Sequence, residues 1–360
     1  MSLRYLLKKL QTDFYLSGIT DLYQRGETLP GPNYVIWDCT RRCNLHCEHC
    51  GAVKETYETE LSTAQIKQVI GQLAALGVDL FAVTGGEPLL RQDLLDVLGY
   101  ANQQGMHTGI ATNGYLIDDG LARRIKETGV DTVQVSLDGL ESTHNRIRGS
   151  DQSFSRAISA LRALIAQKVP IISVATTLTP HNFADLAPMR DLLLSIGVRT
   201  WRLTPIMPVG RGEINHELRL SRAQMIAFFE FVAKNNSRRL RIYIGDTLPY
   251  LGQWERRVRK VTPIVCPVGF TACCIGTDGY VRGCPEMPDT SPNREGSVLE
   301  TPFTDIWQQG FERYRTRALR SSDPACKACP DWYKCYGGCW VMREGGQHCI
   351  YEILKENTSL

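Results

Sequence analysis

The stretch DCTRRCNLHCEHCGA, residues 38–52, places four cysteines within twelve positions. Cys43, Cys47 and Cys50 are spaced C-x3-C-x2-C, and Cys39 precedes them. Three thiolates on one short loop indicate a centre with an open position, because a structural zinc site normally takes four ligands. An iron–sulfur cube held by three cysteines likewise leaves one iron free for another ligand. Cys39 belongs to a strand-like run, so we predict that it packs in the core.

The whole chain has the composition of an ordinary globular protein, with 360 residues, 43% of them hydrophobic and 22% charged. This length suits two domains, or one barrel with an appendage. The formal net charge of +3 is too small to indicate a nucleic-acid or membrane-surface partner. The sequence has no apolar run long enough for a signal peptide or a membrane span, so we expect a cytoplasmic protein.

Thirteen cysteines need a role, because the reducing cytosol disfavours a disulfide scaffold. Four of them lie in 39–50, none in 51–265 and nine in 266–349. Two cysteine-rich regions therefore flank a long cysteine-free body. This distribution favours metal or cluster ligation at two separate places.

The cysteine-free body alternates strand-like and helix-like segments. The strand-like runs are 34–39, 80–85, 107–112, 132–137, 170–178 and 199–205, and amphipathic segments such as 62–77 and 153–168 lie between them. Strands alternating with helices predict a parallel sheet with right-handed crossovers. Because six units are too few for the closed eight-stranded barrel, we predict an α/β fold, a partial (β/α)6 TIM barrel.

The predicted domain boundaries follow changes in residue composition along the chain. We predict an N-terminal extension at 1–33, the partial barrel at 34–205, a helical connector at 206–262 and a loop-rich C-terminal domain at 263–360. Four motifs follow successive strands of the barrel: the cysteine loop, TGGEP (84–88), TNG (112–114) and SLDG (136–139). Functional residues of parallel α/β folds lie at the carboxyl ends of strands, so these motifs are expected on one rim.

On these motifs the chain resembles the radical S-adenosylmethionine (SAM) superfamily, whose cluster loop is similar to CNLHCEHC (43–50). In that family, SAM binds the open iron through its amino and carboxylate groups. Reductive cleavage of SAM then yields a 5′-deoxyadenosyl radical that abstracts a hydrogen atom. The resemblance implies that Cys43, Cys47 and Cys50 hold this cluster.

The resemblance also implies a set of contacts to SAM. They are Gly85, Gly86 and Glu87 for the amino group, Thr112 and Asn113 on the same rim, Ser136 for the ribose with Asp138 beside it, Arg148 of HNRIRG (144–149) for the carboxylate, and Leu203 near the adenine. A glycine pair allows close approach of the backbone to a ligand, and a carboxylate suits an ammonium group.

The C-terminal cysteines resemble the seven-cysteine pattern of the SPASM extension of radical SAM enzymes. The spacings are Cys266-x12-Gly279-x4-Cys284, Cys326-x2-Cys329-x5-Cys335-x3-Cys339, and then Cys349. The resemblance implies two auxiliary clusters, one held by Cys266, Cys273, Cys284 and Cys339 and the other by Cys326, Cys329, Cys335 and Cys349. Together with the barrel site this gives three [4Fe-4S] clusters and SAM. Zinc-ribbon binding by the C-x2-C pairs is the alternative.

The segment ACCIGTDGYVRG predicts a β-hairpin with Asp278 and Gly279 at its turn. In such a hairpin the adjacent Cys273 and Cys274 point to opposite faces, so only one of them can face a cluster. A related spacing in some SPASM peptide maturases favours Cys273.

The resemblance implies a radical SAM oxidoreductase that performs a net two-electron oxidation. Because peptide-modifying enzymes dominate the SPASM subgroup, the expected substrate is a ribosomally synthesised precursor peptide, modified by a crosslink or a decarboxylation. The 33 residues before the first strand are too few for a leader-binding domain, so a separate leader-recognition protein or the barrel itself would bind the leader. Flavodoxin or ferredoxin would supply electrons.

Two alternatives remain open. The segments IWDCTRRCNLHCEHC, GGEPLLRQDL and SLDGLESTHNRIRG also resemble haem-pathway radical SAM enzymes, which modify tetrapyrrole side chains. A non-catalytic iron–sulfur electron carrier or a zinc scaffold is the alternative from another class.

The catalytic base is not identified by the sequence. Glu286 and Asp289 are weak candidates, since they follow Cys284. Sulfatase-maturing relatives carry an aspartate directly after the corresponding cysteine. Its absence here argues against a formylglycine-generating role.

Overall fold

One ten-stranded sheet organises the computed structural model, which describes residues 22, 25, 27–51, 59–245, 247–248, 250–259, 265–288, 290–316 and 323–344. The strands are β1 Tyr34–Asp38, β2 Leu80–Thr84, β3 His107–Thr112, β4 Thr132–Ser136, β5 Ile171–Leu178, β6 Thr200–Pro205, β7 Arg241–Ile244, β8 Ala272–Ile275, β9 Tyr280–Arg282 and β10 Arg294–Ser297. All six predicted strands are confirmed, with ends within one residue of the expected positions.

The order of strands in the sheet is β10-β9-β8-β1-β2-β3-β4-β5-β6-β7. Each neighbouring pair from β1 to β7 is parallel, and β8 is also parallel to β1. Strand β9 is antiparallel to both of its neighbours, β8 and β10. The parallel part, with helices between successive strands, is the predicted partial TIM barrel.

The sheet extends beyond the six predicted strands at both edges. Strand β7 comes from the segment 206–262, which is therefore not only a helical connector as expected. Its sequence RIYI alternates exposed and buried side chains and pairs with the edge of β6. The hairpin of β8 and β9 continues the sheet from the predicted C-terminal domain. The domain boundaries at 206 and 263 stay predictions, and hydrogen bonds of the sheet cross both.

The α-helices lie mainly between the parallel strands. They are α1 Thr63–Ala75, α2 Leu94–Gln103, α3 Asp119–Glu127, α4 Glu141–Arg148, α5 Ser153–Ala166, α6 Leu186–Ile196, α7 Arg211–Ile214, α8 Arg222–Asn235, α9 Glu255–Val258, α10 Phe303–Gln309, α11 Glu312–Arg315, α12 Pro324–Lys327, α13 Trp332–Cys335 and α14 Trp340–Glu344. Ser62 caps α1 in a capping box with Gln65. Within the described residues, no helix is both long and apolar enough to cross a membrane.

The two faces of the sheet differ in chemistry. Trp37 of β1 stacks on Phe81 of β2, and Trp201 of β6 packs edge-on against Phe231 of α8. These aromatic side chains mark the outer face, which the helices cover. Since successive side chains in a strand point to opposite faces, Arg202 and its alternate neighbours lie on the inner face of the partial barrel.

Candidate active site

The cysteine loop is held by backbone hydrogen bonds to the TGGEP motif. Gly86 N–H donates to the carbonyl oxygen of Thr40 at 2.7 Å, and Glu87 N–H donates to that of Arg42 at 2.8 Å. A Cβ atom on Gly86 would overlap the carbonyl group of Arg42, with its carbon only 2.7 Å away. Gly85 has φ of +155° and equally little space, since a Cβ would lie 2.5 Å from Thr40 O. Both glycines are needed for this close contact.

Two further glycines enclose the other side of the loop. A Cβ on Gly149 would lie 3.0 Å from His46 O, and one on Gly210 would lie 2.5 Å from Cys50 O. Arg211 then donates from Nε to Cys47 O at 2.6 Å, and its backbone N–H donates to Cys50 O at 3.0 Å. Sequence reasoning missed Gly149, Gly210 and Arg211 as parts of the site. The sequence offered one indication of these residues. Gly149 directly follows Arg148, and Gly210 lies in the predicted connector at 206–262.

The three predicted cluster ligands differ in burial. Cys43 is exposed, Cys50 half-buried and Cys47 buried, and the guanidinium Nη1 of Arg148 lies 3.6 Å from Cys47 Sγ. Within the described ranges, no three His, Cys, Asp or Glu side chains converge tightly enough to hold a single metal ion. Ligation of a cluster by Cys43, Cys47 and Cys50 stays a prediction.

Glu87 connects two of the predicted motifs. Its buried carboxylate accepts hydrogen bonds from Thr112 Oγ1 at 2.7 Å and from the N–H groups of Asn113 at 2.8 Å and Leu89 at 3.1 Å. Burial raises the pKa of Glu87, and these donors oppose that rise. Asn113 donates in turn from Nδ2 to Asn44 Oδ1 at 2.8 Å, which ties the TNG motif to the cysteine loop. Contact of Gly85, Gly86, Glu87, Thr112 and Asn113 with SAM stays a prediction.

Asp138 is the centre of a buried charge network. Its Oδ2 accepts from Arg148 Nε at 2.6 Å and from His49 Nε2 at 2.8 Å, and its Oδ1 accepts from Thr177 N–H at 2.8 Å. Arg148, followed by His49, holds the pKa of this carboxyl far below its usual range against the effect of burial. Burial and Arg148 lower the pKa of the adjacent His144 to about 3. With this carboxylate engaged, Asp138 positions Arg148 and His49, and a direct contact with SAM stays a prediction.

Ser136 and Leu203 lie on opposite faces of the sheet. Ser136 pairs with Ala175, and Ala175 pairs with Arg202, so these three side chains share the inner face. Leu203 is fully buried on the outer face with Trp201. The inner position agrees with a ribose contact for Ser136. The register does not support a side-chain contact between Leu203 and adenine, because alternate residues of β6 point in opposite directions.

Three cysteines of the first predicted auxiliary cluster lie together. Burial raises the pKa of the Cys284 thiol, and the nearby Cys339, Glu286 and Cys266 add to this rise. Cys339 therefore lies near Cys266 and Cys284, although in the sequence it follows Cys326, Cys329 and Cys335. This proximity is the one expected if the ligands of the two auxiliary clusters alternate along the chain. No disulfide links any two of the twelve cysteines among the described residues.

The register of β8 favours Cys274 over the predicted Cys273. Cys273 pairs with Val35 on the outer face and belongs to the hydrophobic core. Cys274 pairs with Arg282 on the inner face, where Asp38 is also near it. Glu286, two residues after Cys284, has the same two neighbours. We therefore propose Cys274 as the fourth ligand.

Single serine variants of the two residues separate these assignments. We expect Cys274→Ser to lose about four irons per chain, the content of one cube, and Cys273→Ser to keep them. Iron and sulfide analysis with electron paramagnetic resonance of the anaerobic protein measures this. Loss of iron in Cys273→Ser alone would restore the original prediction. Full iron in both variants would mean a cluster with three cysteine ligands.

The second predicted auxiliary site is described in part. Asp323 caps the short helix that carries Cys326, and Arg343 binds Asp323 and lies 3.7 Å from Cys326 Sγ. Cys329 and Cys335 are half-buried. Cys349 and Asp289 lie outside the described residues. Of the nearby aromatic side chains, Trp332, Tyr336 and Trp340 are buried.

Glu286 lies where the two predicted cluster regions meet. A Cβ on Gly51 would be 2.6 Å from Glu286 Oε2, and Gly51 directly follows Cys50. The side chain is exposed, although its charged neighbours Arg202, Asp38 and Arg282 are buried or half-buried. Burial raises the pKa of Glu286, and Arg202 is the largest opposing influence.

A partial barrel with a three-cysteine loop on its rim, and a cysteine-rich extension paired to β1, defines a class of protein. The chain belongs to the radical SAM superfamily. The family model of this superfamily matches residues 37–193, and that of the SPASM iron–sulfur cluster-binding domain matches residues 266–330.

Two curated relatives and one solved structure are similar over most of the chain. Fe-coproporphyrin III synthase of Methanosarcina barkeri is 35% identical over 82% of this chain and 78% of that protein. Mycofactocin maturase MftC of Mycobacterium tuberculosis is 29% identical over 90% of this chain and 82% of that protein. SuiB of Streptococcus suis superposes with a TM-score of 0.72 at 16% identity, covering 93% of this chain and 79% of that one, which shows the shared fold.

Proposed function

We propose that this radical SAM enzyme cleaves SAM reductively and oxidises a ribosomally synthesised peptide, by a crosslink or a decarboxylation. A cluster held by Cys43, Cys47 and Cys50 would supply the electron that cleaves SAM to the 5′-deoxyadenosyl radical, and two auxiliary clusters, which bring the total to three [4Fe-4S] clusters, would accept the second electron of the substrate oxidation. The observation that carries the proposal is the position of Glu286 between Gly51 and Cys284. A radical source and an electron acceptor would then open onto one chamber, as a two-electron oxidation requires.

Several features support a peptide substrate. The seven-cysteine spacing resembles that of enzymes that modify ribosomal peptides. A relative is named a mycofactocin maturase, and SuiB, which shares the fold, has been solved with SAM and with its precursor peptide SuiA. A precursor peptide is therefore the proposed partner, with flavodoxin or ferredoxin as reductant and a separate leader-recognition protein where the barrel does not bind the leader.

Anaerobic reconstitution followed by mass spectrometry tests this function. We expect about twelve irons per chain, cleavage of SAM to 5′-deoxyadenosine with dithionite, and a loss of two hydrogens, or of a carboxyl group, from short peptides encoded beside the gene. Cleavage of SAM without any peptide modification would contradict the peptide assignment. Absence of SAM cleavage from the iron-loaded protein would contradict the enzyme class.

Tetrapyrrole modification is the second candidate function. It is favoured by the relative named Fe-coproporphyrin III synthase, which is 35% identical to this chain. The same reconstituted protein is incubated with Fe-coproporphyrin III and SAM, and the tetrapyrrole mass is recorded. Loss of a carboxyl group from its propionates would move this function ahead of peptide modification.

Glu286 is the proposed proton acceptor during substrate oxidation. Its carboxylate adjoins Gly51, directly after Cys50, so it lies beside the proposed place of substrate oxidation. We expect Glu286→Gln to reduce product formation by about 100-fold, with a much smaller decrease in 5′-deoxyadenosine formation. Glu286→Asp keeps the carboxylate and should recover part of the product. Equal losses of product and 5′-deoxyadenosine in Glu286→Gln would instead indicate damage to the adjoining cluster loop.

A further inference from the structure

The carboxyl end of helix α4 contacts three successive residues of the cysteine loop. The carbonyl oxygen of Ile147 accepts a hydrogen bond from the N–H of Glu48 at 2.9 Å. A Cβ atom on Gly149 would lie 3.0 Å from the carbonyl oxygen of the residue before Cys47. Between these two backbone contacts, Arg148 reaches the sulfur of Cys47 itself. The backbone therefore holds this arginine and this cysteine in a fixed relation.

The guanidinium group of Arg148 is held at one edge and presents the other edge to the sulfur. Its Nε and Nη2 both lie 2.6 Å from Asp138 Oδ2, whereas its Nη1 lies 3.6 Å from Cys47 Sγ. Because a guanidinium group is planar and rigid, the carboxylate that binds one edge also fixes the direction of the remaining N–H donors. The side chain of Arg148 is only 11% exposed, so little water competes for these donors.

A guanidinium group also adjoins a thiol at the second predicted auxiliary site. Arg343 pairs with Asp323, and its Nη2 lies 3.7 Å from Cys326 Sγ. An arginine bound to a carboxylate thus adjoins a predicted cluster ligand at two places in the chain. Only the place at Arg148 belongs to the predicted SAM site. A contact with SAM therefore does not account for both arginine–sulfur contacts.

A hydrogen bond to a cluster thiolate changes the energy of the electron that the cluster gains. One-electron reduction adds negative charge that the sulfur ligands share, so an N–H donor stabilises the reduced form more than the oxidised form. Hydrogen bonds to the sulfurs are among the features that set the reduction potential of an iron–sulfur cluster. Since Asp138 balances the charge of Arg148, the N–H dipole and not an excess charge acts on the sulfur.

We propose that Arg148 donates a hydrogen bond from Nη1 to the thiolate of Cys47 and thereby raises the reduction potential of the barrel cluster, the one predicted at Cys43, Cys47 and Cys50. This inference rests on the proposed function, in which Cys47 is a ligand of that cluster. It gives Arg148 a role in electron uptake, separate from the predicted contact with the SAM carboxylate. Asp138 is then a positioning residue, because it fixes the guanidinium group that reaches the sulfur.

The test measures the potential of the barrel cluster in the full-length, iron-loaded protein without SAM. Samples are poised at a series of potentials, and electron paramagnetic resonance records the reduced clusters. A variant with alanine at Cys43, Cys47 and Cys50 supplies the spectrum of the auxiliary clusters, which is subtracted. Arg148→Lys keeps the charge but has one nitrogen for both partners, and Arg148→Gln removes the charge. The control is Arg146→Gln, because Arg146 is exposed on the same helix.

We expect both Arg148 variants to keep their iron. Reduction of their barrel cluster should become about tenfold less favourable or more, which lowers its potential by about 59 mV for one electron. The potential in Arg146→Gln should equal that of wild type. In protein labelled with nitrogen-15 in the arginine guanidinium groups, pulsed resonance should show a nitrogen coupling to the barrel cluster that Arg148→Lys lacks.

Two results would overturn the inference. One is a potential that is unchanged or raised in both iron-loaded Arg148 variants. The other is loss of the barrel iron in both variants, which would make Arg148 a support of the loop and not a donor that sets the potential. A wild type that assembles no barrel cluster, or does not cleave SAM, is failure of the proposed function. A wild type that cleaves SAM, with variants that keep its potential, is failure of this inference alone.

Discussion

Gly86→Ala is expected to remove the cluster from the cysteine loop and leave the rest of the fold in place. The added methyl group would overlap the backbone carbonyl of Arg42, which no side-chain rotation can relieve. The loop must therefore move outward and give up the hydrogen bonds from Gly86 and Glu87. We expect a loss of about four irons per chain and a fall in SAM cleavage of about 100-fold or more.

Gly71→Ala provides the matched control for this variant. Gly71 lies within α1, and a Cβ there would meet nothing within 4 Å. Alanine in a helix interior is favoured over glycine by about 0.5–1 kcal/mol, so this variant should keep its iron and its activity. Iron analysis, circular dichroism and 5′-deoxyadenosine formation are compared for both. Full iron and full SAM cleavage in Gly86→Ala would show that the loop does not need this contact.

The six barrel strands could be predicted from the sequence because each strand is marked by a short run of hydrophobic and β-branched residues that needs no distant partner to be recognised. The run HTGIAT coincides with β3, and the six predicted strands differ from the observed ones by at most one residue at an end. The strand RIYI of β7 was missed because its four residues lie between basic segments that resemble a solvated connector. The pairing of β8 with β1 joins residues more than 230 positions apart, and no local pattern carries that information.

The predicted site residues show a different limit. The resemblance to the SPASM extension implied which thiols share a cluster, and Cys266 and Cys339 do lie near Cys284. Spacing does not indicate which face of a strand points inward. The resemblance implied Leu203 as a residue near the adenine, which stays a prediction, and the register places Leu203 on the outer face and the neighbouring Arg202 on the inner face. It also placed Asp138 only beside a ribose contact, because charge networks depend on partners from distant segments such as His49 and Thr177.

Asp138→Asn is expected to be strongly destabilising. The carboxylate lies fully buried between Arg148, His49 and the N–H of Thr177, all of which donate to it. An asparagine fills the same volume but leaves the Arg148 cation without its counter-charge and turns an amide donor towards other donors. Removing one partner of a buried ion pair costs about 3–5 kcal/mol, which is a large part of the stability of an ordinary domain.

The measurement is the free energy of unfolding in urea under anaerobic conditions, recorded together with SAM affinity. Asp191→Asn is the control. The same substitution there breaks an ion pair between Asp191 and Arg190, and the side chain of Asp191 is 64% exposed. That pair should contribute no more than about 1 kcal/mol. Equal unfolding midpoints for wild type and Asp138→Asn would contradict the role of Asp138 as the counter-charge of Arg148.

A double variant separates loss of charge balance from loss of packing. Asp138→Asn with Arg148→Gln removes both charges, so no uncompensated cation stays buried. We expect the double variant to lose clearly less stability than the sum of the two single losses, since the residues are in direct contact. SAM affinity should nevertheless stay low, because Arg148 is the proposed partner of the SAM carboxylate. Recovery of stability without recovery of SAM binding would therefore distinguish the structural role of Asp138 from the ligand-binding role of Arg148.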